Sequence, residues 1–196
     1  MDPLFSIITI TFNAEQVLPP TLESVKRQSF TNFEHLVVDG ASTDSTVEIA
    51  ERSGIKGISV VSEPDRGLYD AMNKGIRRAK GEYLIFLNAG DAFHAPTSLQ
   101  EIANAIEQGA QPDIVYGQTQ IVDADRNFVA MRRAVVLAHD VVALAQRRLV
   151  VFVGQLINQK IDKRCARIGA ALRFVQAAQT PFVGGGISDF PECRRR

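Results

Sequence analysis

"FEHLVVDGASTDSTVEIAERSGIKGISVVSE", residues 33–63, decides the fold. Its first part, 33–40, is rich in valine and leucine and reads as a buried strand. "STDSTVEIAERSG" (42–54) opens on helix-capping residues and closes on glycine, so a helix with both ends marked is predicted there. "GISVVSE" (57–63) is a second β-branched run and a second strand. A strand, a helix and a strand joined this tightly form a right-handed crossover between parallel neighbours.

The alternation extends in both directions. Upstream, "LFSIITITF" (4–12) reads as a strand, and 14–28 as a helix with Val17, Leu18, Leu22 and Val25 at helical spacing. Pro19 and Pro20 suit that helix's first turn. Downstream, 67–81 places Leu68, Met72, Ile76 and Ala79 on one helical face. Residues 82–88 then form a fourth strand, 98–109 a helix, and 113–123 one or two strands. Strands that are apolar throughout, rather than alternating, are covered on both faces by helices. The fold class is therefore α/β, with a Rossmann-like, mostly parallel sheet flanked by helices.

Composition bounds the rest. The 196 residues are 45% hydrophobic and 22% charged, the values of an ordinary globular chain with one core and room for an appendage. The formal net charge is zero, which argues against a nucleic-acid partner. Two cysteines fit a reduced, cytoplasmic setting better than a disulfide framework. Met1-Asp2-Pro3 lacks the basic start of a signal peptide, and no apolar run reaches the length of a membrane span.

The zero total conceals an asymmetry. Residues 132–196 hold 12 Lys+Arg and 4 Asp+Glu, a balance of +8, while residues 1–131 hold 10 and 18, a balance of −8. The predicted domains follow that break: 1–131 as the folded body and 132–196 as a basic segment. Two readings of that segment stay open. One is a divergent helix pair whose basic face suits an anionic lipid-linked acceptor at the inner face of a membrane. The other is a departure from the expected reading frame near residue 134, which translation of the neighbouring frames distinguishes.

In a doubly wound sheet, ligands bind outside the carboxyl ends of the strands. Each of the four strands ends in polar residues. Thr9, Thr11, Phe12 and Asn13 close the first, and Asp39-Gly40-Ala41-Ser42-Thr43-Asp44 follow the second. Glu63, Asp65 and Arg66 follow the third, and Asn88, Gly90 and Asp91 the fourth. Singly, Ser42, Thr43 and Asp44 read as helix caps and Asp39-Gly40 as a turn. Together, carboxylates crowded at one sheet edge repel one another, and a cation with a nucleotide relieves that repulsion.

Four segments in this order, "SIITITFNA", "VVDGASTDST", "SEPDRGLYDAMNKGI" and "GEYLIFLNAGDAF", resemble the family-2 glycosyltransferases, specifically the bacterial polysaccharide-assembly branch of the colanic-acid type. The resemblance covers about residues 3–130. It implies a GT-A fold, a nucleotide-diphosphate-sugar donor, a saccharide or lipid-linked acceptor, Mg²⁺ or Mn²⁺, and inversion at the anomeric carbon. It further implies that Thr9, Thr11, Phe12, Asn13, Asp39, Glu63, Asp65, Arg66 and Asn88 bind the nucleotide. Asp70, Asn73 and Lys74 would then face the donor sugar, although Asp70 and Lys74 are also spaced as a surface ion pair. The family's Asp-x-Asp-type metal motif stands here as Asn88-Ala89-Gly90-Asp91, which assigns the metal to Asp91 and Asn88. One carboxylate can suffice, because Mg²⁺ takes further ligands from the substrate phosphates. An inverting transfer needs a general base, and Asp189, in "SDF", is the candidate. The alternative to an enzyme is a nucleotide-sugar-binding module that lacks the acceptor half.

Overall fold

The computed structural model describes residues 2–109, 114–123, 126–132, 148–152 and 174–177. The chain divides into two compact units, Met1–Gln100 and Glu101–Arg196. The charge break at residue 131/132 falls inside the second unit.

The first unit carries strands β1 (Phe5–Thr11), β2 (Phe33–Asp39), β3 (Ile58–Ser62) and β4 (Tyr83–Phe86) in the order β3-β2-β1-β4, all parallel. The register aligns their carboxyl ends: Thr11 lies beside Asp39, and Asp39 beside Ser62. Helices α1 (Leu18–Lys26), α2 (Thr46–Glu51) and α3 (Leu68–Arg78) connect them, and α4 (Ser98–Gln108) runs across the unit boundary. All seven residues of β1 are buried, as a strand covered on both faces requires. Phe5, Ile7, Ile8, Tyr83, Leu84 and Ile85 have no exposed surface, and each apolar side chain so buried contributes about 1.5–3 kcal/mol. Helix α3 packs on β1 and β2 at Gly75, where an added Cβ would lie 2.5 Å from Cγ2 of Ile8.

Every predicted element of this unit is present, but the helices are shorter than their apolar periodicity suggested. The second runs 46–51 rather than 42–54, because residues 42–45 bind neighbouring loops instead of continuing the helix. The first begins at Leu18, after a turn in which the Ala14 carbonyl accepts from the Val17 and Leu18 amides. Gly67, at φ 106°, sets the start of α3.

In the second unit, β5 (Ile114–Gly117) pairs in parallel with both β8 (Arg148–Phe152) and β9 (Phe174–Ala177). Strands β6 (Thr119–Val122) and β7 (Phe128–Arg132) form an antiparallel hairpin. The predicted stretch 113–123 thus holds two strands, and two described pieces of the basic segment are strands, where one of the two open readings was a helix pair. The β-branched run at 149–153 favours that outcome. Among the described residues, no helix is long and apolar enough to cross a membrane.

Candidate functional site

The site is built on Asp39, the last residue of β2. Its side chain is buried and accepts four hydrogen bonds. Oδ1 receives the hydroxyls of Thr11 (2.9 Å) and Ser42 (2.5 Å), and Oδ2 receives the Ser42 amide (2.8 Å) and the Ser62 hydroxyl (2.7 Å). Burial alone would raise the Asp39 pKa, but the bonds from Ser42, Ser62 and Thr11 outweigh it and hold the carboxyl below its usual value. A carboxylate offers about four acceptor positions, so this one is saturated by the ends of three strands. Ser42, predicted as a helix cap, belongs to this cluster instead.

The first two loops are laced together. The Asn13 amide donates to Ser42 Oγ (2.8 Å), and Asn13 Oδ1 accepts from the Thr43 amide (3.0 Å). The Ala14 amide donates to Thr46 Oγ1 (2.7 Å). Asp44 accepts from the Thr46 hydroxyl and amide and from the Glu15 amide, and those bonds hold its carboxyl below the usual value. Asn13 and Ala41 sit at positive φ, 46° and 63°. For Ala41 that is strained backbone, sustained because the bonds around it over-determine the loop.

The third loop closes on the same place. A Cβ added at Gly40 would lie 2.7 Å from Asp65 Oδ2 and 3.3 Å from Cδ2 of Phe12. Any larger residue there would have to push the Asp65 carboxylate aside. Phe12 is 65% exposed, so its ring stands open beside the Asp65 carboxylate. Asp65 Oδ1 accepts from the Gly67 amide at 2.7 Å. From α3, Lys74 donates to the Pro64 carbonyl (2.6 Å) and lies 3.4 Å from Glu63 and 3.7 Å from Asp70. Arg78 also reaches Glu63, at 3.5 Å. The Arg66 amide donates to Asp70 Oδ2 (3.2 Å). Lys74 and Asp70, predicted to face the donor, anchor this loop. Asn73 is half-buried on the same helix.

Thr9 lies two residues inside β1. It is fully buried, with Oγ1 2.8 Å from Nε2 of His35. Thr9 thus meets His35, and Thr11 meets Asp39.

The fourth loop forms a separate group. Gly90, at φ 98°, donates its amide to Thr21 Oγ1 (3.0 Å) on α1, and the Asp91 amide donates to the Asn88 carbonyl (3.0 Å). Asp91 is exposed. Oδ1 of Asn88 is buried with no hydrogen-bond partner among the described residues. An orphaned amide oxygen three residues from an exposed carboxylate fits a hard cation completed by substrate oxygens. Among the described residues, no three His, Cys, Asp or Glu side chains form a metal-holding group by themselves. Asp189 lies outside the described residues.

The reading from sequence missed Ser62, Thr21, Ser24 and Gln28. The last three recur at helical spacing along α1 and just past its end, a polar stripe beside the apolar one, which was the signal available.

Comparison with known proteins bears on the family and the fold. The family model described as Glycosyl transferase family 2 matches residues 6–174. That match runs beyond the 130 or so residues covered by the four segments. A PGL/p-HBAD biosynthesis glycosyltransferase of Mycobacterium bovis is 40% identical over 129 residues, covering 64% of this chain and 50% of the relative. The amylovoran biosynthesis glycosyltransferase AmsB of Erwinia amylovora is 35% identical over 137 residues, covering 65% and 45%. The chain spans about half the length of the curated relatives it matches. Among solved structures, S. aureus TarS 1-349 in complex with UDP-GlcNAc has a TM-score of 0.55 at 28% identity, covering 60% of this chain and 35% of TarS. The mannosyltransferase PcManGT from Pyrobaculum calidifontis, in complex with GDP-Man and Mn²⁺, has a TM-score of 0.50 at 27% identity, covering 65% and 37%.

Proposed function

The chain belongs to glycosyl transferase family 2, and on that premise we propose that it transfers a sugar, with inversion, from a nucleoside-diphosphate donor to a saccharide or lipid-linked acceptor in cell-surface polysaccharide synthesis. The observation that carries this reading is the convergence of three loops on Gly40. There the open Phe12 ring offers a face for a base to stack on, and the Asp65 carboxylate offers an acceptor for a base or ribose hydrogen. Asn13, Glu63 and Arg66 complete the proposed nucleotide site, which Asp39 would join by exchanging one of its four present partners for the ligand, and Asn73 lies on α3 for the donor sugar.

Asn88 Oδ1 and Asp91 would hold the divalent cation. Mg²⁺ or Mn²⁺, when bound, supplies the charge that stabilises a diphosphate leaving group. In the transfer, the acceptor hydroxyl oxygen attacks the anomeric carbon. The bond from that carbon to the β-phosphate oxygen breaks, the nucleoside diphosphate departs, and the hydroxyl proton passes to a carboxylate base. Asp189 is proposed for that base. The basic segment 132–196 is proposed to meet an anionic acceptor at the inner face of the membrane.

The UDP-GlcNAc bound to TarS and the GDP-Man bound to PcManGT motivate the test. Calorimetry with UDP and GDP, with and without Mn²⁺, is expected to show binding that the metal strengthens. No binding to either at millimolar concentration refutes the donor site. Binding without turnover on a lipid-linked acceptor favours the binding-module alternative.

A further inference from the structure

Thr21 and Ser24 on α1, and Gln28 just past its end, turn a row of polar side chains toward the segment that follows β4. Each makes a bond to backbone about seventy residues away. Thr21 Oγ1 accepts the Gly90 amide at 3.0 Å. Ser24 Oγ accepts the Phe93 amide at 3.1 Å. Gln28 Nε2 donates to the Ala95 carbonyl at 2.9 Å, and its Oε1 accepts the Leu99 amide at 3.0 Å. Ser29, just beyond the helix, adds its own amide to the Pro96 carbonyl at 2.8 Å. Thr21 is fully buried and Gln28 is 8% exposed.

A helix face this buried is normally apolar, and buried polar groups persist where they are fully bonded. Serine and threonine are also unremarkable helix formers at best, so local propensity gives no reason for the row. What the row holds is the loop carrying Asn88 and Asp91. The Ala89 amide also ties that loop to the Ile10 carbonyl, at 3.4 Å. Gly90 takes a left-handed φ of 98°, and the Asp91 amide closes a tight turn onto the Asn88 carbonyl. The bond from Thr21 falls between the two proposed ligands, on the residue that joins them.

We propose that Thr21, Ser24 and Gln28 are positioning residues for the cation loop. The α1 row sets the spacing between the Asn88 amide oxygen and the Asp91 carboxylate before any ligand arrives. This rests on the metal reading given above. A cation held by two protein groups gains from their being fixed in advance, since ordering a loop on binding subtracts from affinity. The row acts on the metal-dependent part of donor binding and leaves the Gly40–Phe12–Asp65 part alone.

The test compares wild type, Thr21→Val, Thr21→Ser, Ser24→Ala and Asp91→Ala by calorimetric titration of UDP in EDTA and in MnCl₂, with thermal unfolding of each metal-free protein. Valine keeps the shape of threonine and removes the acceptor; serine restores it. Thr21→Val is expected to lower the Mn²⁺-dependent gain in UDP affinity about 3- to 10-fold, the value of one hydrogen bond, with unchanged affinity in EDTA. Thr21→Ser should retain the gain. If Thr21→Val does not fold, Ser24→Ala carries the same expectation through Phe93. A full Mn²⁺ gain in both variants, or an equal loss with and without metal, overturns the positioning role while the loss in Asp91→Ala keeps the metal reading. Absence of any Mn²⁺ gain in the wild type overturns both.

Discussion

Acidification from pH 7 to pH 4 should destabilise the first unit through one residue, His35. It stands in the middle of β2, opposite Ile7 of β1 and Ile58 of β3, with no exposed surface. Nε2 meets Thr9, and Nδ1 has no partner among the described residues. The imidazolium needs two hydrogen-bond acceptors, and the core provides one. Burial accordingly lowers the His35 pKa from 6.5 to about 4. Between those values the unfolded chain takes up a proton that the folded chain refuses. Stability from this group is thus complete above pH 6.5 and is lost as pH falls toward 4. Two and a half pH units at about 1.4 kcal/mol each amount to about 3.5 kcal/mol. That is a large share of the roughly 5–15 kcal/mol of a typical domain. Asp39 and Asp44, whose folded pKa values are lowered from 3.8, lose their contributions only below that value, so the windows are separate. Urea unfolding followed by circular dichroism at pH 7, 6, 5 and 4.5 measures the slope. His35→Leu should flatten it across this range even if it alters stability at pH 7. Equal slopes in the two proteins would refute the assignment to His35.

Three further changes address the site and its frame. Asp39→Asn presents an amide N–H₂ group to donors that now meet a carboxylate, so a loss of about 2–3 kcal/mol in chemical denaturation is expected, with weakened UDP binding; unaltered stability would show that the four bonds are not the hub of the strand ends. Gly75→Ala pushes a methyl to 2.5 Å from Ile8 Cγ2, and the overpacking, about 1–3 kcal/mol, exceeds the gain of about 1 kcal/mol in helix propensity, so the melting temperature should fall; a rise would mean that Ile8 can move aside. Lys74→Met keeps the stem and removes the ammonium from a side chain that is 12% exposed; hydrogen exchange at 63–67 should quicken while global stability drops by no more than about 1 kcal/mol, and unchanged exchange would remove Lys74 as the anchor of the third loop.

Much of the site could be read in advance because it follows from topology. Once 33–63 is a parallel crossover, the polar residues after each strand must share one edge, and Gly40 brings Phe12 and Asp65 together there. The roles inside that edge were less legible. Asp39 and Lys74 look alike in sequence as charged residues near a ligand, yet one is saturated by Thr11, Ser42 and Ser62 and the other binds the Pro64 carbonyl. Ser42 resembled a cap because its partner, Asp39, competes for it only when β2 ends where it does.

The sequence by itself determined the α/β class, the parallel crossovers, the strand-end location of the site and the family segments, because periodicity, capping and chain connectivity act over short distances along the chain. Only the tertiary structure decided which polar groups meet. The bonds from Thr21 to Gly90, from Gln28 to Leu99 and between Thr9 and His35 join residues separated by 69, 71 and 26 positions. Such pairs have no local signature. A hydrogen bond forms within a few tenths of an ångström and a narrow angle, and that precision is set by strand register and helix placement, which arise only when the whole sheet has assembled.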